Sequence, residues 1–202
     1  EAPAEEPPHI DTPDESEATY AGNVVVVGTR AMEIPTASDD LVVRYAGAVN
    51  NLAAALGSEV RTFSLVTPNG GEFYSPESMH QGLNSQKDMI DYCYSQMNGS
   101  IITVDAYSKL RAHTDEYIFF RTDHHWTSTG AYYAYKLLCD TLGLTPFDPS
   151  AHTVLTADGF YGTHYSKART PDAEPDTITY YDLPNELTIY SVSGPGQPAE
   201  GE

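Results

Sequence analysis

The stretch DHHW, residues 123–126, sets a carboxylate, two imidazoles and an indole side by side in a chain with seven histidines. An Asp two residues before a His, on an irregular loop, can fold back to accept the imidazole N–H and leave the other ring nitrogen free as a base. That assigns Asp123 as the orienting acid and His125 as a general base. The same atoms would suit a metal, but such a site needs three or four ligands of suitable type. His9 lies in an acidic, Pro-rich opening, and His80, His113, His152 and His164 show no paired ligand spacing, so no metal is expected at DHHW. A third reading is a polar loop that only caps the next helix, although Thr127 or Ser128 can cap unaided.

The elements around the motif give it a place. The run NVVVVG, residues 23–28, is short, continuous and β-branched, as in a strand buried on both faces. A helix follows over 38–57, with Ser38 as N-cap, acids in the first turn, and Leu41, Tyr45, Val49, Leu52 and Leu56 spaced as a core-facing stripe. VRTFSLV (60–66), IITV (101–104) and YIFF (117–120) read as further strands, and 84–99 and 127–143 as further helices. Strands alternating with helices predict an α/β fold. It would be a mainly parallel sheet with helices on both faces, as in three-layer flavodoxin-like folds, with a small C-terminal β hairpin.

Ligands of open α/β sheets sit beyond the carboxyl ends of the strands. GTRAMEIPTAS, TPNGGEFYSPES and RTDHHW are the polar loops expected there, and the last abuts a helix N-terminus, whose dipole favours a nearby negative charge. His124 and Trp126 flank the base and are candidate substrate contacts. Arg121 could hold a carboxylate or a sugar hydroxyl, against the plainer role of pairing with one of the many acids. Asn69 and Tyr74 lie after the second predicted strand and could bind substrate, though PNGG is also a turn signal. Aromatic platforms suit sugar rings, but Tyr132, Tyr133 and Tyr135 must point in different directions on one helix.

Charge narrows the partners. The formal net charge is −19, and residues 1–22 hold seven acids and no Lys or Arg. The remainder carries 29 − 7 = 22 acids against 10 bases, so the folded part is acidic too. Nucleic acid is therefore excluded as a natural partner, since phosphate binding needs basic side chains. Residues 1–22, with four prolines and few large apolar groups, read as a disordered tether; 23–192 read as one domain and 193–202 as a flexible tail. No run of apolar residues is long enough for a membrane span, and no signal segment is present. The chain begins without Met, and an acidic tether behind a removed export signal suits an extracellular or cell-envelope protein; an ordinary cytosolic tail is the alternative. Cys93 and Cys139 fall on apolar positions of predicted helices, where small buried thiols are common, and a disulfide stays open.

RTDHHWTSTGAYYAYKLLCDTLG, with VTPNGGEFYSPES before it and FYGTHYSKARTPDAEPDTITYYDL after it, resembles the bacterial DHHW protein family. That family of exported proteins is similar to the SGNH-hydrolase-like domains of the alginate O-acetylation proteins, which carry a D-x-H-W motif. The resemblance spans residues 23–182. It implies an SGNH-hydrolase-like fold, no cofactor, and Asp123 and His125 as the Asp and His of a Ser-His-Asp triad. Trp126 matches the motif's aromatic, and His124 replaces a residue with no assigned catalytic role. The implied function is O-acetyl transfer to, or removal from, an envelope polysaccharide, alongside an acetylation partner protein. The alternative is a non-catalytic carbohydrate-binding or scaffold protein. The relatives carry a nucleophilic Ser beyond the motif, in a Gly-x-Ser or Asp-Ser setting after a strand. Ser128, Ser150, Ser166, Ser191 and Ser193 lack that setting; Ser166 is the nearest by context and reads as a surface residue.

Overall fold

Gly22 and Gly28 each adopt a positive φ and open a two-residue turn, which folds the first apolar run into a meander. The computed structural model describes residues 13–36, 38–169, 173–183, 186, 190–192 and 198–200. The meander pairs β1 (Ala18–Ala21), β2 (Val24–Val27) and β3 (Arg30–Glu33) in antiparallel order β1-β2-β3. Val24, Val25 and Val26 are all buried, so the expected two-faced burial of this strand is present. Its neighbours are antiparallel, however, because two-residue turns can join strands only in that sense.

The parallel component is small. β4 (Thr62–Leu65) and β5 (Ile101–Val104) pair in parallel, joined through α2 (Gly71–Tyr74) and α3 (Gln86–Ser95). β6 (Val154–Phe160) pairs antiparallel with β7 (Asp176–Tyr181), and β8 (Tyr190–Val192) with β9 (Pro198–Glu200). The fold is thus mixed α/β, and the expected large parallel sheet is corrected: among the described residues it amounts to the β4–β5 pair. β8 pairs with β9 beyond the expected end of the domain, which takes residues 198–200 out of the expected tail. Residues 1–12 of the expected tether lie outside the described residues, and 18–21 of it form β1.

Among the helices, α1 (Asp39–Leu56) starts at Ser38, whose hydroxyl accepts from Leu41 N–H, and α5 (Ser128–Leu142) runs from Thr127 to a left-handed Gly143. α4 (Ala106–Arg111) and α6 (Thr163–Ala168) are short. α1 corrects one expectation. Leu41, Tyr45, Leu52 and Leu56 are exposed, while Val42, Ala46 and Ala53 are buried. The small side chains let α1 lie close to α3, where Val42 and Ala46 meet Cys93, Met89 and Met97. Cys93 and Cys139 are buried free thiols.

The main core joins Phe73, Ile90, Tyr107 and Leu110 to Ile118 and Phe119. Ile118 and Phe119 thereby anchor the residues that lead into DHHW. YIFF itself is not a strand; Phe119 makes a single antiparallel bridge to Trp126. No helix among the described residues is long and apolar enough to cross a membrane.

Gly130 marks the tightest contact behind the site, because a Cβ there would lie 2.3 Å from Ile118 O and 3.2 Å from Trp126 Cβ. Gly130→Ala should therefore push α5 off the Ile118–Trp126 segment and cost about 1–3 kcal/mol. A lowered urea midpoint checks this, and a midpoint equal to wild type would show that the contact relaxes freely.

Candidate active site

The motif sits at the tip of a hairpin-like loop. Phe120 N–H donates to His125 O (3.2 Å) and Thr127 N–H to Ile118 O (2.9 Å), so 118–120 run back along 125–127. Thr127 closes the loop and starts α5 at once: its hydroxyl donates to Tyr117 O (2.6 Å) and accepts from Gly130 N–H. The capping role thus belongs to Thr127 and leaves Asp123 free for other work.

A fully buried carboxylate holds the tip. Asp176, the first residue of β7, accepts from Arg121 N–H (2.9 Å) and the Tyr117 hydroxyl on one oxygen, and from Thr122 N–H (2.9 Å) and Oγ1 (2.5 Å) on the other. Thr122 passes the constraint on. Its Oγ1 accepts from Gly162 N–H (3.0 Å), and its carbonyl accepts from His164 N–H (3.0 Å) and Tyr165 N–H (3.1 Å). β3 closes the ring of contacts, with Ala31 N–H donating to Arg121 O (2.8 Å) and Ala31 O accepting from His164 Nδ1 (2.8 Å).

Asp123 and His125 then meet as the sequence predicts. Asp123 Oδ1 accepts from His125 Nδ1 at 2.5 Å and from His125 N–H at 3.0 Å. Its Oδ2 accepts from Thr163 N–H (2.8 Å) and Oγ1 (3.1 Å). Burial alone would raise this carboxyl. The Thr163 and His125 backbone and side-chain donors outweigh it and hold the group far below the ordinary carboxylate range. A stable carboxylate on Nδ1 fixes that nitrogen as the protonated one and leaves Nε2 as the acceptor. The Asp123 side chain is 4% exposed and that of His125 65%, so the acid is sheltered and the base open. His125 Nε2 has no hydrogen-bond partner among the described residues.

The three expected loops converge. A cleft of about 470 Å³ is lined by Pro35, by Thr67, Pro68 and Asn69, and by His124, His125 and Trp126, with Gln86, Met89 and Phe119 completing it. His124 packs its ring on His125, with centroids 3.8 Å apart, and its Nδ1 pairs with Thr163 Oγ1 at 2.9 Å. Asn69 is braced: its Oδ1 accepts from Gly71 N–H and Gln86 Nε2, and its Nδ2 donates to Glu33 O. Two expected substrate contacts sit elsewhere. Arg121 lies 3.6 Å from Asp176 and donates to Pro175 O, so the fold uses its charge. Tyr74 packs on the main core beneath the Arg30 guanidinium and donates to Thr114 O, away from the cleft lining. Ser166 donates to Gly162 O (3.2 Å) rather than to the base.

Sequence reasoning missed Thr163, Gly162, Thr122 and Asp176. A Cβ on Gly162 would lie 2.3 Å from Asp123 Cβ, so only glycine lets this backbone close on the acid. Asp176 is one acid among 29, and no spacing links it to a motif 53 residues earlier in the chain (176 − 123).

Because the folded Asp123 carboxyl resists protonation, its contribution to stability is complete above the ordinary carboxylate range and is lost as pH falls beneath it. Urea midpoints should fall for wild type from about pH 5 downward. Asp123→Asn should be weaker at neutral pH yet show a flatter acid limb; equal slopes in the two proteins would refute this. Asp123, His124 and His125 offer ligand atoms within 4.8 Å of one another, but both Asp123 oxygens are already committed to donors. Zinc added to the purified chain should accordingly be lost on gel filtration. Stoichiometric retention that disappears in His125→Ala would place a metal here instead.

The model of the family described as DHHW protein matches residues 4–189. No curated protein matches the chain. A crystal structure of a DHHW family protein from Eubacterium siraeum is 33% identical, with a TM-score of 0.74 over 88% of this chain and 59% of that one. Bacillus cereus PatB1 gives a TM-score of 0.62 at 15% identity, over 91% of this chain and 65% of that one. The O-acetyltransferase domain of Pseudomonas putida AlgJ gives 0.50 at 18% identity, over 73% and 58%. The chain spans less than two thirds of the length of each, and the last two likenesses are of fold alone. With the motif quoted in full and a family match over nearly its whole length, the chain belongs to the DHHW protein family.

Proposed function

We propose that this chain supplies the Asp-oriented imidazole base of an O-acetyl transfer or removal site acting on a cell-envelope polysaccharide. One observation carries the reading: His125 is held through Nδ1 by a sheltered carboxylate, while its unpartnered Nε2 belongs to a residue lining an open cleft. The fold likeness to the O-acetyltransferase domain of AlgJ supports the reaction class. Envelope location and an acetylation partner protein that delivers the acyl group belong to the same proposal.

The chemistry follows from the geometry. A hydroxyl entering the cleft gives its proton to Nε2 as its oxygen attacks the carbonyl carbon of an acetyl ester. The imidazolium, steadied by Asp123, then returns the proton to the departing oxygen as the old ester bond breaks. Among the described residues no Ser or Thr hydroxyl is bonded to Nε2. The attacking hydroxyl is therefore the acceptor's own, or one outside the described residues. That gap favours a second reading, a glycan-binding protein that keeps the cleft without turnover.

The test mixes the chain with an activated acetyl ester and oligosaccharide acceptors, following ester loss and acetylated sugar separately. Hydrolysis should stay near background. Transfer should appear and drop roughly 10²–10⁴-fold in His125→Ala, with Asp123→Asn similarly impaired and Ser166→Ala unaffected. Transfer indifferent to His125→Ala would remove the proposal, and strong hydrolysis abolished by Ser166→Ala would make that serine the nucleophile.

A further inference from the structure

The segment that secures the dyad also carries a pair of aromatic rings, Tyr161 and Tyr165. Among the described residues, tyrosine rings pair at Tyr132–Tyr133, Tyr132–Tyr135 and Tyr161–Tyr165. The first two pairs have their hydroxyls engaged: Tyr132 donates to Phe147 O, Tyr135 accepts from Phe147 N–H, and Tyr133 donates to Glu116. Tyr161 and Tyr165 differ. Their centroids are 4.3 Å apart at 32°, Tyr161 is exposed, and neither hydroxyl has a hydrogen-bond partner among the described residues.

Their position is fixed by the site itself. Tyr161 directly precedes Gly162, whose backbone closes on Asp123, and Tyr165 N–H donates to Thr122 O. Between them Thr163 bonds both Asp123 and His124, and His124 lies on the base. The rings thus belong to the same short segment that orients the acid. Aromatic side chains with polar tips suit a ligand that has an apolar face and a hydroxyl-bearing edge, which describes a pyranose ring.

Charge selects among such rings. The chain holds 29 acids against 10 bases, so its field repels a polyanion. The cations beside the dyad are engaged, Arg121 with Asp176 and Lys167 with Glu33, which leaves Arg169 at the far end of α6. We propose that Tyr161 and Tyr165 form a stacking subsite for an uncharged pyranose of the acceptor polysaccharide, beside the Asp123–His125 dyad. This rests on the reading that the site handles a glycan.

Calorimetric titration of the full chain with N-acetylchitohexaose and cellohexaose, against an oligogalacturonate of equal length, tests it. An uncharged oligomer should bind, and Tyr161→Ala and Tyr165→Ala should each weaken it about three- to tenfold. The Tyr→Phe variants should keep most of the affinity because the ring remains, which also guards against misfolding as the cause. Loss of transfer with intact, tyrosine-dependent binding would count against the proposed function alone. No binding of either uncharged oligomer, affinity unchanged in both Ala variants, or tighter binding of the uronate would overturn the subsite.

Discussion

The buried carboxylate of Asp176 is the constraint on which the site depends. It is fully buried and is satisfied by donors from Tyr117, Arg121 and Thr122, with the Arg121 guanidinium nearby. Because those donors belong to the loop tip, the loop cannot shift without leaving buried polar atoms unsatisfied. Thr122 then binds the segment at 162–165, and that segment binds Asp123. Order therefore runs from Asp176 through Thr122 and Thr163 to the acid, and from the acid to the base.

That chain of contacts separates two demands that would compete in the proposed acid–base pair. The acid must stay ionised, which asks for fixed donors and shelter; the base must meet a ligand, which asks for access. Here the sheltered member takes its donors from two segments, while His125 leans outward from the same hairpin tip. His124 fills the space beside it and is itself tied to Thr163, so the imidazole has a wall on one side and the cleft on the other.

Much of the dyad was legible because its geometry is local. An Asp two residues before a His on a tight loop brings carboxylate and ring together with little help from the fold, and helix starts at Ser38 and Thr127 were equally local. The supporting residues were not legible, since Thr163 and Asp176 reach the motif across long stretches of chain and look like ordinary loop residues. The meander is legible in the Gly-Asn and Gly-Thr dipeptides on either side of the valine run, two-residue turn signals that override the reading of a parallel strand from burial on both faces. On α1 the larger apolar residues suggested the core face, but alanine allows the closer helix approach and placed the leucines outside.

Trp126 lines the cleft next to the base and is the sole tryptophan of the chain. The protein therefore carries an optical probe built into its own site. In this chain, light absorbed selectively by indole is emitted from the cleft wall. The arrival of a ligand in the cleft and the disturbance of the hairpin tip both become changes in one emission band, with no label attached and no residue replaced.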